Sequence, residues 1–414
     1  MKRTIRAING AWRTVAGGLA IIACLLACGC SKEPVANEGS SAHQSDMVQT
    51  DAAPDVTPVV RHARGFTLER REGYTLVRVL SPWRDAKTTF AYALVHRGSP
   101  VPKLEPNVTV VETPVRKIVL NSSSYVAFFA LLGLEDTIVG ITGGKTIGTP
   151  SVAERIRDRR IVEIGDGNGM AQNLNMERLF ALQPDLIMLY GTTDPQYNHH
   201  PKLQEAGFLT AINAEYMETT PLGRTEWMKF IAAFFEKDAE AERLFSDICL
   251  RYEAQVAKVR SVPHRPTVFS NANFRGTWSV PGGDSFVASF IRDAGGDYLW
   301  SDDHTSGSIP LNTEVVIARA KDADYWLTPG TNRSLEELAA ADERYSVFRA
   351  FRTGRVYNNN AKMTPGGGND IWETGVTQPD KALSDLISIL HPELLPDYQR
   401  TWFWQLPAKS VEGR

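Results

Sequence analysis

Cysteine is scarce in this sequence, with four residues in a chain of 414. Cys24, Cys28 and Cys30 lie close together near the N-terminus, and only Cys249 lies in the body of the chain. This distribution excludes a disulfide framework, and no Cys/His spacing typical of a zinc site is present. We therefore expect no structural metal.

An excess of charge of one sign is also missing. The formal net charge is -3, so nothing in the overall balance indicates a nucleic-acid partner. The sequence contains no nucleophile elbow, phosphate loop or Ser/His/Asp arrangement. Its hydrophobic content of 43% and charged content of 22% are typical of a globular protein, and its length suffices for two domains.

Long hydrophobic runs are absent, but a short one lies near the N-terminus. Residues 15–26 are apolar, follow a basic segment and are too few for a comfortable membrane span. Small residues precede Cys30, which predicts a lipoprotein signal peptide over residues 1–29 and a lipid on Cys30. Cleavage before Cys28 is a weaker alternative.

Residues 30–62 are rich in Ser, Ala, Asp and Gln and show no periodicity, which predicts a disordered tether. We therefore expect a folded body held to the membrane by a lipid anchor. Its place would be the cell envelope, on the periplasmic or another extracytoplasmic face.

One long helix organises the rest of the chain. From Asp238 to Arg260 apolar residues recur at three- and four-residue spacing, without Gly or Pro until Pro263. Such a helix is roughly 34 Å long at about 1.5 Å per residue. It predicts either a rigid connection between two lobes or an ordinary core helix within one large domain.

Short apolar strands alternate with helices on both sides of this helix, which predicts α/β lobes with mostly parallel sheets. The N-terminal lobe is predicted over residues 113–237, the connecting helix over 238–262 and the C-terminal lobe over 263–407. Alternating residues over 63–112 predict a small antiparallel β-rich preface without evident chemistry.

The two predicted lobes contain a weak repeat. Glu177 and Glu314 each lie at the start of a short helix that leads to a turn and a strand. This pattern predicts one exposed carboxylate at an equivalent place on each lobe.

The order of several motifs resembles a known family. They are Arg116 to Ser122, Asn173 to Asp185, Lys237-Asp238, Pro281 to Ser285 with Asp293 to Gly296, and Gly367 to Glu373. With the signal peptide and the long helix, they resemble the substrate-binding lipoproteins of ABC importers for ferric siderophores, haem and cobalamin. The resemblance implies two Rossmann-like lobes joined by a single long helix. It also implies capture of a metal chelate or corrinoid between the lobes and delivery to an ABC importer permease, with Glu177 and Glu314 docking on permease arginines.

Ligand-binding candidates are bulky, charged or hydroxyl residues at predicted strand ends and in loops. They are Ser122, Ser124, Tyr190, Glu215, Tyr216, Arg224, Trp227, Trp278, His304 and Trp372. Aromatic walls and a few charged groups suit large chelates, and the hydroxyls at a helix start suit an anionic group. His199, His200 and His304 give only weak evidence of a metal site. No cofactor is expected.

Two other functions stay open on the sequence alone. Asp370 and Glu373 flank Trp372 and could supply the carboxyl pair of a lipid-anchored cleft hydrolase. A sensor domain on the same fold would differ only in its partner.

Overall fold

A preface sheet of four strands opens the part of the chain that the computed structural model describes, which is residues 59–165, 173–194 and 196–409. The predicted signal peptide, Cys30 and most of the predicted tether lie outside these residues. The strands are β1 (Phe66–Arg71), β2 (Tyr74–Val79), β3 (Phe90–His96) and β4 (Val108–Thr113), paired in that order. The first three are antiparallel as predicted, whereas β4 runs parallel to β3.

The N-terminal lobe contains a five-stranded parallel sheet in the order β7-β6-β5-β8-β9. Its strands are β5 (Ile118–Leu120), β6 (Ile138–Ile141), β7 (Val162–Glu163), β8 (Leu186–Leu189) and β9 (Thr210–Ile212). Its helices are α1 (Val126–Leu131), α2 (Pro150–Arg157), α3 (Met176–Leu182), α4 (His200–Glu205) and α5 (Pro221–Ala233). β5 and β8 are buried along their whole length, because helices cover both faces of a parallel sheet.

The connecting helix α6 (Asp238–Val259) has 22 residues and matches the predicted helix. Asp238 is its first residue rather than its cap, since Lys237 occupies the cap position without a side-chain hydrogen bond. Ala241, Phe245, Ile248 and Tyr252 form its buried face. This face packs against α5 and against the last helix of the C-terminal lobe.

The C-terminal lobe contains two sheets in the described residues, in the orders β13-β10-β15-β16-β17 and β11-β12-β14. The strands are β10 (Thr267–Ser270), β11 (Asn273–Phe274), β12 (Thr277–Pro281), β13 (Asp297–Tyr298), β14 (Ser308–Leu311), β15 (Tyr325–Leu327), β16 (Val356–Asn358) and β17 (Trp404–Gln405). The helices are α7 (Phe286–Asp293), α8 (Thr313–Ala320), α9 (Leu335–Ala341), α10 (Arg349–Arg352), α11 (Thr374–Thr377) and α12 (Pro379–Leu390). Within the described chain no sheet takes strands from both lobes, so α6 is the covalent connection and the predicted two-lobed α/β fold is confirmed.

Two helices fill the space where the lobes meet. Every residue of α5 is buried, and only Lys381 of α12 is exposed. α12 packs against α5, α6 and α7, and α11 packs against α1 and α5. The lobes therefore share a helical core in addition to the connecting helix.

The folded body begins before Phe66. The backbone amides of Arg61, His62 and Ala63 donate to the Glu226 carboxylate at 2.6–3.1 Å. Those of Arg64 and Gly65 donate to Glu218 in the same way. The predicted tether, which extends to residue 62, is therefore too long at its C-terminal end. The Glu226 and Glu218 carboxylates bind residues 61–65 to α5 and to the turn before it.

Candidate functional site

Several predicted ligand residues meet at the carboxyl edge of the N-terminal sheet. Ser122 and Ser124 follow β5, Tyr190 follows β8, and Glu215 and Tyr216 follow β9. These three strands are neighbours in one parallel sheet, so their ends converge. Ligands of open α/β sheets bind at such edges. The structure therefore places these five residues at one edge of the sheet.

A buried network fixes the charged members of this edge. The Ser124 hydroxyl donates to the Glu215 carboxylate at 2.6 Å, and the Arg224 guanidinium forms an ion pair with the same carboxylate. The Ser122 and Ser124 hydroxyl oxygens are 2.8 Å apart. Glu215 is 1% exposed and Arg224 9%. The serines therefore position Glu215, which in turn orients Arg224.

Arg224 also touches the opposite lobe. Its guanidinium carbon lies 5.4 Å from the ring centre of Phe286 on α7 and 5.7 Å from that of Trp372. Trp372 is 41% exposed, so its ring forms an open aromatic wall. Cations over aromatic faces are attracted by the ring quadrupole. Arg224 thus stands where the two lobes meet, with a carboxylate on one side and two rings on the other.

Two tyrosines provide the phenols of the site. The Tyr216 hydroxyl donates to the Gly191 carbonyl at 2.7 Å, and burial, followed by the nearby Glu215 charge, raises its pKa to about 12. Burial also raises the pKa of Tyr190. The Tyr190 hydroxyl is buried and has no hydrogen-bond partner in the described residues. Both phenols are protonated at neutral pH, and Tyr190 has a free donor.

The C-terminal lobe contributes polar residues that sequence reasoning missed. Asn271 follows β10, Thr328 follows β15, and Asn358 and Asn359 lie at the end of β16. They line the polar side of a cavity of about 240 Å³ whose other walls include Phe286, Phe290, Phe403 and Trp372. The signal that would have found them is their place directly after parallel strands.

Three predicted ligand residues lie elsewhere. Trp227 is fully buried between Phe66 and Phe230, and Trp278 is fully buried against Trp326. Their indole N–H groups donate to Glu218 and to the Ser270 carbonyl, respectively. Both tryptophans are core residues, which corrects the prediction that they form cleft walls.

The third is His304, which lies in the loop after β13. Its side chain is 87% exposed and its ring nitrogen lies 3.5 Å from Asp284. It does not join the cluster around Arg224.

Asp370 and Glu373 make structural contacts, and those of Glu373 join the two lobes. Glu373 is 2% exposed and accepts the Gly148 and Thr149 backbone amides at 2.8 and 2.7 Å, across the lobe boundary. Burial raises its pKa. Asp370 accepts the Trp402 indole N–H at 2.8 Å and pairs with Lys362 at 2.8 Å. These contacts favour a bridging role over the acid/base chemistry of a hydrolase.

Glu177 and Glu314 occupy equivalent exposed positions. Each lies in the first turn of its helix, α3 or α8, two residues after the capping asparagine. Asn175 and Asn312 are those caps, and both accept a backbone N–H from inside the helix. Glu314 also pairs with Arg344 at 2.5 Å. The predicted placement of one exposed carboxylate at equivalent helix starts is therefore found.

Within the described ranges, no group of three His, Cys, Asp or Glu residues is arranged to hold a metal ion. In the same ranges no helix is both long enough and apolar enough to cross a membrane.

Two relatives in Methanocaldococcus jannaschii carry the description uncharacterized lipoprotein. One is 26% identical over 407 residues, covering 91% of this chain and 92% of the relative. The other is 27% identical over 364 residues, covering 85% and 88%.

Solved structures show the same fold at low identity. A possible iron-binding, periplasmic solute-binding protein of Staphylococcus epidermidis is 16% identical, with a TM-score of 0.52 over 67% of this chain and 100% of its own. A periplasmic heme binding protein of Pseudomonas aeruginosa is 17% identical, with a TM-score of 0.52 over 72% and 100%. A family model for periplasmic binding proteins matches residues 118–362, from the first strand of the N-terminal lobe onward. With its two α/β lobes and one connecting helix, this chain belongs to the periplasmic binding protein family.

Proposed function

We propose that this protein captures an iron chelate, haem or cobalamin between its lobes and delivers it to an ABC importer permease. The observation that carries the proposal is Arg224, a cation held by Glu215 of one lobe against the rings of Phe286 and Trp372 of the other. Large planar or chelated ligands need apolar area together with a few fixed polar groups. The two solved relatives described as iron-binding and heme binding agree with this ligand class.

Contacts besides α6 fix the two lobes relative to each other, and such a preformed cleft favours ligand capture. Besides α6, the Glu373 carboxylate binds the start of α2, and the backbone near Gly366 and Gly368 packs closely on Lys145 and Thr146. Preorganised sites lose less entropy when a ligand binds. We therefore expect small lobe movements on binding.

The ligand is identified first from what co-purifies. We would purify the full chain in detergent and analyse bound small molecules by mass spectrometry and visible absorption. Haemin, ferric citrate and cyanocobalamin would then be titrated by equilibrium dialysis. We expect one class to bind at micromolar concentration or below, and binding of none of the three would contradict the proposal.

Arg224→Gln tests the assigned site. It removes the charge while keeping a polar side chain, and it leaves Glu215 buried without its cation. We expect about tenfold or greater loss of affinity for the ligand that binds. Arg243→Gln, an exposed change on α6, is the control. Equal affinity of Arg224→Gln and wild type would exclude Arg224 from the site.

We further propose that the chain is anchored through a lipid on Cys30, which agrees with the lipoprotein descriptions of its relatives. Cys30→Ala should abolish labelling by a radiolabelled fatty acid. Labelling that persists in Cys30→Ala and disappears in Cys28→Ala would move the anchor to Cys28.

A further inference from the structure

The loop between β2 and β3, residues 80–89, leaves the preface and reaches the edge of the cleft. The ring of Trp83 packs so closely on Gly191 that a side-chain carbon there would collide with it. Gly191 directly follows Tyr190 at the end of β8. The Trp83 ring centre lies 6.0 Å from that of Phe90, which lies 4.7 Å from that of His200. These contacts fix the loop on the N-terminal lobe.

The next residue, Arg84, reaches the opposite lobe. Its guanidinium group occupies the space where a side chain on Gly307 would stand. The Gly307 carbonyl accepts the Gly282 amide at 2.7 Å, in the loop that leads to Phe286. Two successive residues of the preface therefore contact both lobes, Trp83 at Gly191 and Arg84 at Gly307.

Arg84 keeps an available charge. Its side chain is exposed, and no carboxylate in the described part of the chain pairs with it. Burial, followed by the Glu215 charge, raises the pKa of Tyr216, whereas the nearby positive charge of Arg84 acts to lower it. The guanidinium thus lies near Tyr216 of the candidate site. It differs from Arg224, whose guanidinium forms an ion pair with Glu215.

We propose that Arg84 is a ligand-binding residue that selects chelates bearing carboxylate groups, and that the loop of residues 80–89 is a wall of the binding site. The inference rests on the proposed function. A planar guanidinium binds carboxylate oxygens with two parallel hydrogen bonds. This wall lies outside the matched family region, which begins at residue 118. The preface therefore adds specificity to a shared fold.

Equilibrium dialysis of the full chain in detergent tests the assignment. Ferric citrate and haemin carry carboxylates, and cyanocobalamin carries amides instead. Arg84→Ala should weaken binding of whichever carboxylate-bearing probe the wild type binds by about tenfold or more, and any cyanocobalamin binding should stay unchanged. Lys87→Ala removes an exposed cation of the same loop and should change neither.

Gly307→Ala provides a second variant that keeps the charge. Its backbone lies outside the left-handed region, so alanine is tolerated there, but its methyl group would displace the Arg84 guanidinium. We expect the same selective loss as in Arg84→Ala. Equal affinity of Arg84→Ala and wild type for ferric citrate and haemin would overturn the assignment, as would a wild type that binds only cyanocobalamin. In both cases the proposed function would stand, whereas a wild type that binds no probe would contradict both.

Discussion

Glu226 and Lys229 on α5 are both fully buried charges. Their side chains pair at 2.9 Å, and Lys229 also pairs with Glu242 at 2.7 Å. Glu226 additionally accepts the backbone amides of residues 61–63. The pair therefore holds residues 61–63, at the start of the folded body, against α5.

We predict that Glu226→Ala destabilises the protein by about 3–5 kcal/mol, because it leaves the Lys229 ammonium without one partner and three amides without an acceptor. Chemical denaturation followed by circular dichroism measures the change. Glu253→Ala removes an exposed carboxylate from α6 and should stay within about 0.5 kcal/mol of wild type. A similar small change for Glu226→Ala would show that the buried pair contributes little.

Asp342 gives a pH-dependent prediction. Its hydrogen bonds from Arg344 hold its pKa below the ordinary 3.8. Because the folded-state pKa is lowered, Asp342 stabilises the fold above pH 3.8, and this stabilisation is lost as the pH falls below that value. Asp342→Asn should therefore destabilise the protein at neutral pH and flatten the acid limb of its stability curve.

The measurement is the denaturant midpoint across a series of pH values. Asp397→Asn, an exposed change near the C-terminus, is the control. Parallel acid limbs for wild type and Asp342→Asn would contradict the prediction.

At the scale of elements, α3 and α8 present Glu177 and Glu314 on the two lobes, and we propose that these carboxylates dock on basic permease residues. Close charge pairs across an interface are worth about 1.5 kcal/mol or more. The double change Glu177→Ala/Glu314→Ala should therefore abolish cellular uptake and leave the ligand affinity of the isolated protein intact.

Glu205→Ala/Glu253→Ala alters the net charge equally at exposed sites and should transport normally. Arg344→Ala adds a sharper test, because it frees Glu314 from its partner and should not weaken uptake. Wild-type transport by the Glu177/Glu314 double variant, or loss of ligand binding in it, would exclude the docking role.

The start of α2 is bound by Glu373 of the other lobe. We predict that Glu373→Ala costs about 1–3 kcal/mol and speeds hydrogen exchange at the Gly148 and Thr149 amides, since these lose their acceptor. Glu154→Ala, on the exposed side of α2, should leave exchange there unchanged. Unchanged exchange in Glu373→Ala would show that another contact holds the lobes.

The sequence predicted the alternation of strands and helices because short apolar runs between turns are strong local signals. The long helix was predicted from Asp238 to Arg260 and is observed from Asp238 to Val259. The sheet β11-β12-β14 was missed because its glycine-rich segment reads locally as a loop, and its pairing partner lies far along the chain.

Site residues were predictable where strand ends alone place them, as for Tyr190 and Glu215. Trp227 was misplaced because α5 is buried on all sides, so residue type does not tell which face meets the cleft. Arg84 gave no local signal, since its position depends on how the preface packs across two lobes.

For the whole molecule, the shared helical core predicts one cooperative unfolding transition. α5, α6 and α12 pack on one another, and α5 belongs to the N-terminal lobe while α12 belongs to the C-terminal one. Neither lobe can bury its helices alone. Calorimetry should give equal calorimetric and van't Hoff enthalpies. Two resolved transitions would show that the lobes unfold independently.

The placement of α11 and α12 also bears on biosynthesis. α11 covers α1 and α5 of the lobe that is made first, and Asp385 of α12 binds the backbone of residues 401–403. A nascent chain that emerges N-terminus first therefore keeps apolar surface of its first lobe uncovered until translation has passed residue 374. A chain ended by a premature stop before α11 would therefore expose this apolar surface, which favours aggregation and proteolysis.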